Sequence, residues 1–360
     1  AYLAQGDVLY SIKKFSEYGK LSHRDPEQLR VGVRVGLQVD VDEKKNDPLD
    51  FALWKSAKPG EPFWSSPWGN GRPGWHIECS AMVKSILGEQ IDIHGGGIDL
   101  VFPHHENEIA QSEGCSGKSY VRYWMHNNMI NFGGAKMSKS LGNIMAARDF
   151  MDEQSPEIYK YMMLSVHYRS VLDFSDSAIE MANHSLSRIY SALAVSERYL
   201  SALTLEEKNK IQVDTVMQKN WEQIWLQITE ALNDDFNTPE AFARIFEWVR
   251  LFNTQVKRGL KVNPAILGKC LVFSQGIKQF GSLMSLFQED AVQFLMTLDD
   301  AWLNKKGLLR SDIDQLVAAR ALVRAEKDFK KSDELRDQLL QMGIAVSDTP
   351  QGSEWEVAKN

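Results

Sequence analysis

The chain has 360 residues, 43% hydrophobic and 25% charged, with a formal net charge of −7. This is the composition of an ordinary soluble globular protein, and the length exceeds what one growing core accommodates, so two or three domains are expected. No apolar run approaches the ~20 residues a membrane span needs, and the acidic balance excludes a global nucleic-acid footprint, so any RNA contact must come from local basic surface.

The sequence starts at Ala1 with no initiator methionine and no secretory-leader pattern, and an upstream segment is expected. Residues 1–145 mix short extended runs, glycine- and proline-rich loops and a few helices. Asp50 to Lys55 reads as a buried strand. Ile77 to Leu87 has helical spacing of Ile77, Met82, Val83 and Ile86, with Gly88 as a stop. Ile91-Asp92-Ile93 reads as a short strand running into His94-Gly95-Gly96-Gly97. Met129 to Phe132 is strand-like and is followed by the turn-forming pair Gly133-Gly134. Alternating strand, glycine loop and helix predict an α/β sheet with ligands at the carboxyl ends of the strands.

From about residue 156 long amphipathic helices dominate: Pro156 to His167, Asp176 to Leu203, Met217 to Leu232 and Pro239 to Arg258. Asp234 to Pro239 separates the last two and supplies an N-terminal cap. The spacing predicts a helical bundle. The last 55 residues predict two more helices and two short strands, around Gly343 to Val346 and Trp355, as a separate module. Within it Arg320, Arg324, Lys327, Lys330, Lys331 and Arg336 crowd into one helical stretch. A solvated helix face is the commoner meaning of such a run. The three cysteines, Cys79, Cys115 and Cys270, are odd in number and far apart. They argue against a disulfide framework and for a reducing cytoplasm.

Gly69-Asn70-Gly71-Arg72-Pro73-Gly74 spells G-x-G-x-x-G, but loop-like residues precede it and Pro73 interrupts it, so a dinucleotide site is not expected there. A stronger signal is Cys79 with His104-His105-Glu106-Asn107-Glu108. With Pro103 opening a helix, His104 and Glu108 stand four apart on one face. An imidazole and a carboxylate so placed can grip one zinc ion, with Cys79 adding thiolate. Alone, a cysteine is more often an inert small hydrophobe and a His-x-x-x-Glu pair a surface hydrogen bond. Trp75 precedes Cys79 by four and should face the same site, and Asp99 follows the glycine loop at His94. Lys136-Met137-Ser138-Lys139-Ser140 combines two cations with two hydroxyls, a good phosphate clamp.

The K-M-S-K-S run resembles the signature loop of class I aminoacyl-tRNA synthetases. Gly74 to Met82, His94 to Gly97, Phe102 to Gln111, Asp234 to Pro239 and Gly343 to Gly352 together resemble the cysteinyl-tRNA synthetases, over essentially the whole chain. The resemblance implies a Rossmann-like class I catalytic domain, incomplete here, over 1–145. A connecting stem over 146–175, a DALR-type helical bundle over 176–305 and a small C-terminal α+β anticodon module over 306–360 would follow. It also implies ligation of L-cysteine to tRNA(Cys) through cysteinyl-adenylate, with ATP and Mg2+, in the cytoplasm and without membrane attachment. Cys79, His104 and Glu108 would hold zinc that binds the substrate thiolate, with Trp75, His94 and Asp99 around the amino acid. Lys136 and Lys139 would act on the ATP phosphates with Ser138 and Ser140, and Arg320, Arg324 and Trp355 would contact tRNA. The family's His-x-Gly-His signature and fourth zinc ligand are absent and are expected upstream of Ala1, without which the chain should be inactive. The competing readings are a related ligase that joins cysteine to an amino sugar and a non-catalytic tRNA- or zinc-binding relic. A C-terminal anticodon module speaks against the first.

Overall fold

The computed structural model describes residues 1–25, 44–132, 135–136, 146–201, 203–349 and 352–358. They form two compact units, Ala1–Met129 and Ile130–Asn360.

In the first unit β1 (Tyr2–Ala4), β2 (Asp7–Tyr10), β3 (Phe51–Ser56) and β4 (Gly71–Pro73) make an antiparallel sheet in chain order. The segment expected to be a buried strand is one, yet only its start is buried, at Asp50 and Phe51. Asp50 is tied down by the Ile12 amide (3.0 Å) and the Tyr2 hydroxyl (2.7 Å). The G-x-G-x-x-G spelling falls on the edge strand β4 and its flanks, paired with β3. At Gly74 a Cβ would sit 1.9 Å from the Ala52 carbonyl oxygen, so only glycine lets the chain pass that close to β3 and turn into helix α1 (Trp75–Ile86).

β5 (Ile91–Gly97) and β6 (Val121–Asn127) pair in parallel, Ile91 opposite Val121 and Gly97 opposite Asn127. Parallel strands need a crossover, and helix α2 (Glu106–Ser116) provides it. Pro103 does not open that helix, contrary to expectation: the Phe102–Pro103 bond is cis, a wide turn spans Val101–His105, and α2 proper starts at Glu106. α1 lies on α2, but Met82 (53%) and Ile86 (76%) of its expected apolar face are exposed. The inward residue is Ser80, whose hydroxyl donates to Gln111 Oε1 at 2.7 Å. Val83 of that face packs against the small apolar cluster of Ile109, Tyr120 and Val121, while Ser80 meets the polar Gln111.

The second unit starts with β7 (Ile130–Phe132), flanked by antiparallel β8 (Ala135–Lys136) and parallel β9 (Leu172–Phe174). Phe132 stacks on Phe174 at 4.9 Å and both pack on the helical core, so by compactness β7 belongs with the helical unit. The helices are α3 (Ala147–Glu153), α4 (Pro156–Leu164), α5 (Asp176–Ser201), α6 (Leu205–Asn209), α7 (Thr215–Asn233), α8 (Thr238–Gln255), α9 (Pro264–Met284) and α10 (Ala291–Lys306). Ser155, Asp214, Asn237, Asn263 and Asp290 cap α4, α7, α8, α9 and α10 with their side chains. Their apolar faces meet in one core, with Tyr190 stacked on Phe294 (3.9 Å) and Phe252 on Phe273 (4.0 Å). The buried Glu157 accepts the Phe287 and Gln288 amides, each at 2.9 Å, and the Tyr190 hydroxyl at 2.7 Å.

A small second core holds Leu303, Ile313, Val317, Leu339 and Ile344. Helices α11 (Arg310–Ala325) and α12 (Phe329–Gln341) build it with the hairpin of β10 (Ile344–Thr349) and β11 (Gly352–Val357). α10 serves both cores, with Phe294 in the first and Leu303 in the second. Arg320 is 1% exposed and grips Asp348 with two hydrogen bonds, 2.8 and 3.0 Å, which correct its expected place on a tRNA-facing surface. Its charge is spent joining α11 to β10. That pair holds the Asp348 carboxyl well below the usual range. Trp355 donates from Nε1 to Asp314 (2.7 Å) and carries Arg310 over its ring at 4.6 Å, so one ring face is already covered. Arg324 remains about half exposed, 3.5 Å from Asp348.

Arg320→Ala strips the partner from Asp348 and empties a fully buried volume. With Asp348 partly solvated, the loss is expected at about 2–4 kcal/mol, slightly under that of a fully buried pair. Urea denaturation followed by far-UV circular dichroism reads it, and an unchanged midpoint would disprove the role.

Asp299 on α10 has a side chain only 21% exposed, 3.8 Å from Arg310. Burial pushes its carboxyl up to about 6 despite Arg310 and the Val357 amide, with Glu356 and Asp300 adding to the rise. The folded chain therefore keeps a proton that the unfolded chain releases near 3.8, and stability falls as pH rises between those values. Asp299→Asn should remove about 2–3 kcal/mol of that fall. The variant is expected to be more stable than the parent at pH 7 and equal to it at pH 4. Parallel pH–stability curves for the two proteins would refute it.

Candidate metal centre and active site

Helix α2 and the turn before it bury a row of polar residues: His104, His105, Glu106, Asn107, Glu108 and Gln111 are all at or below 5% exposed. Each must be satisfied. Glu106 is, by the amides of Gly19 and Ser22, both at 2.9 Å. Asn107 Oδ1 accepts the Tyr18 hydroxyl, Gln111 Oε1 accepts Ser80 while its Nε2 has no hydrogen-bond partner among the described residues, and the Ala110 carbonyl accepts Tyr10 at 2.7 Å.

Glu108 differs. Its Oε2 takes His94 Nε2 at 2.9 Å and the Tyr120 hydroxyl at 3.1 Å. Its Oε1 lies 2.9 Å from His104 Nε2, yet finds no partner of hydrogen-bond geometry among the described residues. Two ligand atoms close together but not aimed at each other are what a shared metal ion requires. Cys79 completes the group: the ligand atoms of Cys79, His104 and Glu108 lie within 4.8 Å of one another. His104 Nδ1 meets His76 Nδ1 at 2.8 Å. Burial, then His104 and Lys55, push His76 down to about 4, so it is neutral at neutral pH and able to accept at Nδ1 in one of its two tautomers. A proton on His104 Nδ1 leaves Nε2 as a lone pair facing the site. Burial, then Glu108 and Glu78, raise the Cys79 thiol pKa, and a cation bound there would reverse that effect. His94, His105 and Glu108 form a second cluster of metal-ligand type. Its Glu108 oxygen is already taken twice, and His105 Nδ1 is engaged by His126 Nε2 at 2.7 Å. The Cys79 set is the better fit.

The model of the tRNA synthetases class I (C) catalytic domain matches residues 1–184, that of the DALR domain 227–288, and that of the cysteinyl-tRNA ligase anticodon binding domain 307–355. The cysteine–tRNA ligase of Bdellovibrio bacteriovorus is 60% identical over 359 residues, covering 100% of the chain and 72% of that protein. The chain belongs to the cysteinyl-tRNA synthetases. The cysteine–tRNA ligases of Geotalea uraniireducens (42% identical, covering 99% of the chain and 73% of the relative) and Syntrophotalea carbinolica (43%, 99% and 72%) agree. It is a ligase with a class I catalytic region, a helical region and an anticodon-binding region, and its family aminoacylates tRNA. Among the described residues no helix is long and apolar enough to cross a membrane.

In this synthetase Trp75 stacks on the His104 ring at 4.6 Å and is 60% exposed, an aromatic wall open on one side. Asp99 is exposed in a 3-10 turn over Ile98–Leu100. His94 has its Nε2 engaged by Glu108 and its ring stacked on Trp124 at 4.7 Å. A Cβ at Gly96 would lie 2.9 Å from His105 Cε1, so that glycine admits the chain's own histidine rather than leaving a gap for ligand. Lys136 lies in β8, while Ser138, Lys139 and Ser140 lie outside the described residues. Sequence reasoning missed His76 and Tyr120. His76 carried a signal, since it precedes Cys79 by three on one helix face. Tyr120 carried none.

Proposed function

We propose that the chain ligates L-cysteine to tRNA(Cys) through cysteinyl-adenylate, using ATP and Mg2+ in the cytoplasm, with the substrate thiolate recognised by zinc. The observation that carries the zinc reading is Glu108 Oε1, fully buried, without a hydrogen-bond partner among the described residues and 2.9 Å from the His104 nitrogen. Zinc held by Cys79, His104 and Glu108 would supply a soft Lewis acid that prefers a thiolate to the hydroxyl of serine. A site that demands one polar contact rejects an isostere lacking it without a separate editing step.

The chain's own residues do the rest. Trp75 walls the amino-acid pocket, and Asp99 offers a carboxylate to the substrate ammonium group. His94 borders the pocket while holding Glu108. Lys139, with Lys136, Ser138 and Ser140, would stabilise charge on the ATP phosphates as adenylate forms, by position and electrostatics. Residues 1–145 would serve catalysis, 146–175 the stem, 176–305 the bundle and 306–360 the anticodon. Arg324 and the open face of Trp355 remain the candidate tRNA contacts, by charge and stacking.

Metal analysis of the intact enzyme tests the site: Cys79→Ser should lose most of its zinc relative to the parent. Undiminished zinc in that variant would sink the ligand assignment.

Lys139→Ala should lower the turnover of cysteine-dependent ATP–pyrophosphate exchange by roughly 100-fold while the Michaelis constant for cysteine moves little. Unchanged turnover with only a raised constant would count against the loop's role.

A further inference from the structure

Tyr120 stands just before β6, 12 residues beyond Glu108, and is 1% exposed. Its main-chain amide donates to Glu113 Oε1 at 3.0 Å, which fixes the backbone independently of the side chain. The ring packs edge-on to His94 (6.0 Å) and Trp124 (6.2 Å). The hydroxyl reaches Glu108 Oε2 at 3.1 Å, the oxygen that also meets His94 Nε2 at 2.9 Å. A phenol has one O–H and a carboxylate only accepts, so the direction of this bond is unambiguous.

We propose that Tyr120 is a positioning residue of the metal centre: with His94 it occupies Glu108 Oε2 and so leaves Oε1 as the carboxylate's single metal-binding atom. A carboxylate free to turn can offer a metal one oxygen or both. Two donors on one oxygen remove that choice and hold Oε1 beside His104 Nε2. An oxygen kept off the metal leaves a coordination position open to another ligand. The outer partners come from three places, His76 on α1, His94 on β5 and Tyr120 before β6, and orient two ligands. Such partners typically set metal affinity within a range of roughly 10- to 100-fold. The inference rests on the zinc reading above.

The test is Tyr120→Phe in the intact enzyme, which keeps the ring and both edge contacts and removes one oxygen. Zinc affinity is measured by competition with a chromogenic chelator, and the cobalt-substituted proteins are compared by visible absorption. We expect roughly 10- to 100-fold weaker zinc binding and a changed cobalt band, as Glu108 gains freedom to bind through both oxygens. The metal-free variant should melt within a few degrees of the metal-free parent. Zinc affinity within twofold of the parent, with an identical cobalt spectrum, overturns the role of Tyr120 alone. An equal loss of stability in the metal-free state would show a structural role and also overturn it. A parent enzyme that binds neither zinc nor cobalt would overturn the zinc reading, and this inference with it.

Discussion

The first unit is organised by a helix whose buried face is polar. Helix α2 and the turn before it bury two imidazoles, two carboxylates and two amides. Leaving any one of them without a partner would cost about 1–3 kcal/mol, and more for a charged group. The segment near Gly19 therefore folds back onto Glu106, Tyr18 onto Asn107, α1 presents Ser80, and β5 presents His94. The surrounding elements are placed by what this helix demands.

Against that background the two neighbouring glutamates separate. Glu106 is closed by main-chain amides and behaves as a brace. Glu108 is closed on one oxygen and open on the other. Three histidines close by, His76, His104 and His105, are driven toward neutrality, chiefly by burial, with His76 at about 4 and His105 at about 3. Neutral imidazole is the form that accepts a proton or binds a metal, so crowding several together keeps them in the useful state.

Much of this was legible in the sequence, because some signals are local. The helices near 156, 176, 217 and 239 announce themselves by period and caps, and the structure ends them within a few residues of expectation. His104 and Glu108 are four apart, and that spacing brings them together although His104 sits in the turn before the helix. What could not be read depends on partners far along the chain. Arg320 looks like surface charge until Asp348, 28 residues away, is folded against it. Met82 and Ile86 look like core, yet both are exposed in the fold. Tyr120 looks like any strand-edge tyrosine, and the turn over Val101–His105 puts the helix start later than proline statistics place it.

Helix α10 contributes Phe294 to one core and Leu303 to another without a break between them. A shared rod of this kind denies the carboxyl-terminal module a separate melting transition: strain on its hairpin is felt among the bundle aromatics two turns away. It also means that a chain cut after Lys306 keeps Trp302 and Leu303 while losing the residues that shelter them. The shortened protein would carry a sticky apolar end, and its handling in solution would say as much about that end as about the missing module.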